Sequence, residues 1–64
     1  MKYCKVIEDG YITAIGANID GVEIGEEEYA IILDTIRNKP TPREGFDFML
    51  TEDLRWEEYS INIL

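Results

Sequence analysis

A chain of 64 residues holds one domain at most, and with one cysteine and no histidine it has neither an internal disulfide nor an ordinary zinc site to brace it. Fourteen acidic residues against six basic ones give a net charge of −8, which argues against wrapping a nucleic-acid backbone and against docking on an anionic membrane. The hydrophobic fraction of 45% is that of a folding chain, yet one core of this size supplies only about 3–5 kcal/mol, so self-association into a homo-oligomer is expected.

Residues 2–7, Lys2-Tyr3-Cys4-Lys5-Val6-Ile7, are β-branched and aromatic with period-2 contrast, Tyr3, Lys5 and Ile7 sharing one side. Glu8-Asp9-Gly10 follows, and Asp-Gly is a hairpin signal. Residues 11–15 have strong β-propensity and end at Gly16, so 2–7 and 11–15 read as an antiparallel hairpin. Residues 17–21 read as a loop, and Val22-Glu23-Ile24 as a short extended lead into a helix.

The helix has a start, a face and a stop. Gly25 is its expected N-cap, and Glu26, Glu27 and Glu28 lie in its first turn at the positive end of the dipole. Tyr29, Ile32, Leu33 and Ile36 form one apolar stripe. Arg37 and Lys39 suit the C-terminal end, Asn38 is expected to take a left-handed cap, and Pro40 forbids continuation. Residues 39–45 are a stiff connection. Phe46, Phe48 and Leu50 then alternate in a strand, Thr51-Glu52-Asp53 is a tight turn, and residues 54–59 begin a last strand. Leu54 and Trp56 are out of phase with Tyr59, Ile61 and Ile63, so a bulge is expected at Glu57-Glu58. The expected fold is a single α+β domain over residues 1–64, a small antiparallel sheet with one helix in the order β-β-α-β-β.

No pattern carries catalysis. Without histidine, Cys4 has no partner base, and a strand cysteine reads as a small core residue. Acidic pairs such as Glu8-Asp9, Glu52-Asp53 and Glu57-Glu58 fall mostly in turns, and no EF-hand spacing occurs, so neither a metal nor a cofactor is expected. Charge density alone selects Glu26, Glu27, Glu28, Glu52, Asp53, Glu57 and Glu58 as candidate partner-binding residues. Arg37, Lys39 and Arg43 form one basic cluster, the candidate phosphate contact. Ile61, Ile63 and Leu64 make the chain's last residues apolar, and an apolar edge is a template for pairing between subunits. A lone cysteine, no signal-peptide pattern and no run near the roughly 20 apolar residues of a membrane helix point to the cytoplasm.

Residues Tyr3-Cys4-Lys5-Val6-Ile7-Glu8-Asp9-Gly10-Tyr11-Ile12 resemble the opening of small accessory proteins from phages and prophages of Gram-positive, largely clostridial bacteria. The resemblance continues through Glu26-Glu27-Glu28-Tyr29, Ile36-Arg37, Pro42, Gly45-Phe46, Leu50 and Asp53-Leu54-Arg55-Trp56-Glu57. It implies a protein at work in the bacterial host, either inhibiting a defence nuclease, as anti-CRISPR proteins do, or serving as a minor part in virion assembly. In the first case the acidic residues would meet a basic nucleic-acid groove. In the second, the apolar terminal strand would join subunits. A third expectation is an oligomer that gathers Arg37, Lys39 and Arg43 into a patch that binds or nicks DNA.

Overall fold

The computed structural model describes residues 1–61. Its elements run β1 (Tyr3–Glu8), β2 (Tyr11–Ala17), β3 (Val22–Ile24), α1 (Glu26–Arg37), β4 (Phe46–Thr51) and β5 (Trp56–Ser60). The five strands pair antiparallel in one sheet of order β3-β1-β2-β4-β5. The α+β class and single helix agree with expectation, but the element order is β-β-β-α-β-β. The extended stretch before the helix is a strand, with Tyr3 opposite Ile24 and Lys5 opposite Val22. Three residues are too few to show a period, and only the free border of β1 turns them into a ladder.

The β1–β2 hairpin closes through Asp9 and Gly10, whose φ values of 53° and 85° make the two-residue turn that suits the strand twist. Gly16 does not end β2, which continues to Ala17 with Gly16 opposite Cys4. The side chain of Ile19 covers Gly16, and a Cβ there would touch it at 3.5 Å. The loop after β2 thus folds back over the sheet face on which Cys4 is buried.

The irregularity of the sheet lies in β2, not at Glu57-Glu58. Pairing steps from Val6↔Ala14 to Ile7↔Ile12, which leaves Thr13 as an extra residue. The extra residue changes the phase of β2, so that Ile12 and Ile15 both face the helix. The β4–β5 ladder is continuous from Phe46↔Ser60 to Leu50↔Trp56. The phase conflict noted in the sequence needs no bulge: Trp56 packs on the core, Tyr59 lies exposed on the opposite face of the same continuous strand with Ile61 just past its end, and Leu54 is not in a strand at all. It sits in the connecting turn with φ 63° and reaches the core from there.

Helix α1 begins after Gly25, which offers no side-chain cap. It ends at Asn38, whose φ of −97° is not left-handed; instead its Nδ2 and its backbone N–H both donate to the carbonyl of Asp34. The stripe packs as expected at its centre. Ile32 is buried, joins Ile12 and Leu50 in the core, and is surrounded by Ile7, Ile15, Ile24, Leu54 and Trp56. Tyr29 stacks on Tyr3 with ring centroids 4.3 Å apart, while Ile36 at the end of the stripe is 38% exposed.

Strands β2 and β4 pair only through Tyr11↔Thr51 and Ile12↔Leu50. Past Thr13 they part, as a bulge that bends and twists its strand would cause. The molecule is accordingly long, 41 × 21 × 16 Å with a radius of gyration of 12.9 Å, against about 11 Å for a compact chain of this length.

Candidate functional site

Two turns meet at one end of the sheet. The backbone N–H of Glu52, in the β4–β5 turn, donates to the carbonyl of Gly10 in the β1–β2 turn at 3.1 Å. This contact gathers Glu8, Asp9, Glu52 and Asp53, all exposed and none ion-paired among the described residues. Glu57 lies beside them, with its Oε1 accepting the Tyr11 hydroxyl at 2.5 Å. That hydrogen bond, with some burial and the charges of Glu57 and Asp9, raises the Tyr11 hydroxyl above its ordinary value of 10.0. Arg55 is the one cation in the two turns, so five carboxylates against one guanidinium leave this end at −4.

The seven acidic residues chosen from the sequence do not form one face. Glu52, Asp53 and Glu57 belong to the turn end. Glu26, Glu27 and Glu28 start the helix beside Tyr3 and Lys5, at the other end of β1, where Lys5 Nζ binds Glu28 Oε2 at 2.8 Å. Lys5 and Glu8 are three residues apart on β1, about 10 Å, with the turn beyond Glu8. Glu58 is engaged elsewhere: its carboxylate receives Nε and a terminal nitrogen of Arg43 at 3.1 and 3.0 Å. Glu8 and Asp9, taken in the sequence as turn residues, join the turn end because of the Gly10–Glu52 contact, which no local signal announces.

The basic cluster is also divided. Arg43 is held by Glu58, with its guanidinium 3.8 Å above the Phe46 ring. Lys39 binds Asp47 at 2.9 Å. The ammonium of Lys39, the N–H of Phe48 and the hydroxyl of Tyr59 hold the Asp47 carboxyl below its ordinary range, against a small opposing effect of burial. Arg37 alone of the three has no ion pair among the described residues. Of the apolar terminal residues, Ile61 is 40% exposed and donates its N–H to Gly45; Ile63 and Leu64 lie outside the described residues.

Among the described residues there is no pocket and no group of three or more potential metal ligands. No helix among the described residues is long and apolar enough to cross a membrane. Compared with protein-family models, with curated proteins and with solved structures, the chain matches none.

Proposed function

We propose that this chain is a protein-binding module of the bacterial cytoplasm that docks its acidic end on a basic surface, and that the partner is a host defence nuclease whose nucleic-acid groove supplies that surface. The observation behind the proposal is the meeting of two turns through Glu52 and Gly10, which concentrates Glu8, Asp9, Glu52, Asp53 and Glu57 where little cation offsets them. Concentrated charge on a rigid end gives fast, salt-sensitive association with an opposite patch. The choice of a nuclease rests on the resemblance to phage accessory proteins. Competition with the nuclease's nucleic acid is the corresponding mode of inhibition, in the manner of an anti-CRISPR protein.

The test is binding to a set of purified RNA-guided and restriction nucleases, with and without their nucleic acid, at low and high salt. Replacing Glu8, Glu52 and Asp53 together by Lys is expected to abolish binding, whereas Glu26→Lys with Glu27→Lys leaves most of it. Equal loss from both sets, or binding that survives reversal of the turn end, would overturn the reading.

A second reading, a self-associating accessory of phage assembly, draws on β5. It is the outermost strand, and Tyr59 and Ile61 are exposed along it. Removal of residues 61–64 is then expected to lower the mass in solution. The DNA-binding or nicking reading gains no such support, because Lys39 and Arg43 already hold carboxylates.

A further inference from the structure

The sheet has open borders on the outer sides of β3 and β5, and between β2 and β4 beyond the Ile12↔Leu50 pair. An open border invites an added strand unless something blunts it. Three of the borders are blunted. β3 has only three residues and carries Glu23. β5 exposes Glu57 and Glu58. On β4, the bonds Thr51 N–H to Arg55 and Ile61 N–H to Gly45 fix the alternation, which turns the backbone of Phe46 and Phe48 away from β5. Both of those donors are already taken: Phe46 N–H by the Arg43 carbonyl at 3.0 Å and Phe48 N–H by Asp47 Oδ1 at 2.7 Å.

The border of β2 has none of these devices. Asn18 N–H donates to the Lys2 carbonyl at 2.7 Å. By alternation, Gly16 and Ala14 also face β1, and the backbone of Ile15 and Ala17 faces outward. Neither outward N–H has a hydrogen-bond partner among the described residues. Residues 10–19 contain no charge, the longest such stretch in a chain with fourteen acidic and six basic side chains.

We infer that this border is a seam between two copies of the chain, β2 pairing antiparallel with β2 of a second copy about a two-fold axis at Gly16. Ile15 of each copy faces Ala17 of the other, and the outward N–H and C=O groups of both residues are satisfied in both chains. Gly16 meets Gly16 at the close, non-hydrogen-bonded position, where Cα atoms approach to about 4.5 Å. The contact is isologous and closes on itself. Charge selects the second copy and this strand together. Two chains of −8 repel, and pairing through β5 would set Glu57 and Glu58 of both copies against one another, which destabilises a ladder. Only the uncharged strand brings two such chains within backbone distance without opposed carboxylates.

The test is sedimentation over a range of protein concentrations at about 50 and about 500 mM salt, with amide exchange read residue by residue. The expected result is a monomer–dimer equilibrium that salt strengthens, with protection of the Ile15 and Ala17 amides rising with concentration. Ala17→Pro removes one outward donor while sparing the β1 ladder, and Thr13→Lys supplies the missing charge at an exposed site. Each is expected to weaken the dimer more than tenfold with an unchanged circular dichroism spectrum, and Thr13→Lys decides the matter if Ala17→Pro does not fold. A monomer at every concentration, a dimer indifferent to both variants, or a dimer with unprotected Ile15 and Ala17 would overturn the inference. So would protection that appears only with an added extended peptide, which would give the border to another partner. Docking by the acidic end weakens with salt, so the two proposals fail separately.

Discussion

In β3, β1 and β2, the apolar side chains that face α1 include Tyr3, Ile7, Ile12, Ile15 and Ile24, packed on Tyr29 and Ile32, with Lys5–Glu28 at their margin. In the β4–β5 hairpin, only the end near the turn is packed this way, through Leu50, Leu54 and Trp56. Its far end is held by Arg43–Glu58, Arg43 over Phe46, and Lys39–Asp47–Tyr59. One part of the sheet is thus secured mainly by burial and the other mainly by polar contacts near the surface. Burial is insensitive to salt and pH, whereas exposed ion pairs are weak and screened. The hairpin's far end is therefore the part expected to open first.

The largest expected effect tests the packed part. Ile32 is 1% exposed, and Ile32→Ala removes it from the centre of the core at a cost of about 2–5 kcal/mol. That approaches the whole stability of a domain this small, so urea unfolding followed by circular dichroism is expected to lose its cooperative transition. Next comes Gly21→Ala. A Cβ at position 21 would lie 2.5 Å from the Lys5 carbonyl oxygen, and relieving that overlap by shifting the chain leading into β3 costs about 1–3 kcal/mol. The check is a lowered urea midpoint, with fast exchange of the β3 amides.

Smaller effects test the polar part. Arg43→Gln removes a two-point ion pair and its stacking on Phe46, and the expected loss is under about 1 kcal/mol. Exchange is expected to quicken at the Ile61 and Tyr59 amides and not at those of β1. High salt is expected to mimic the variant in the parent chain. The smallest effect is set by pH. The Tyr11 hydroxyl is raised, so the stability it contributes is present below its ordinary value of 10.0 and is lost as pH rises through the higher folded value. Asp47 is lowered, so its contribution is present above the ordinary carboxylate range and is lost as pH falls through the depressed folded value. Exchange across β5 measured against pH is expected to show both limits, and Tyr11→Phe to remove the alkaline one.

The elements themselves were legible because their signals are local. Asp9-Gly10 marks a turn, Glu26 to Glu28 and Pro40 bracket the helix, and the Tyr29–Ile36 stripe gives its face. Val22–Ile24 was legible as extended but not as a strand, since its partner lies seventeen or more residues away on β1. The change of apolar phase near Glu57 was legible, yet a bulge and a regular strand with apolar residues on both faces give the same pattern, and only the continuous ladder tells them apart. The acidic surface was legible as composition but not as geometry. The candidates Glu26 to Glu28 and Glu52, Asp53 and Glu57 went to opposite ends of β1, and Glu8 and Asp9 joined Glu52 and Asp53 through one backbone hydrogen bond.

Thr13 has a consequence for how such a chain tolerates change in length. As the one unmatched residue between two ladders, it sets the angle at which the hairpin leaves the rest of the sheet. Residues added between Asn38 and Gly45 lengthen a tether and alter nothing else in the register. Deleting Thr13 itself would make the β1–β2 ladder continuous and leave Ile12, Ala14 and Ile15 on their present faces, whereas deleting a residue of β2 away from the bulge would exchange the inner and outer faces of everything on one side of it. Change in length is thus tolerated in the connections and at the bulge, and a variant shortened elsewhere in β2 needs a compensating insertion in the same strand.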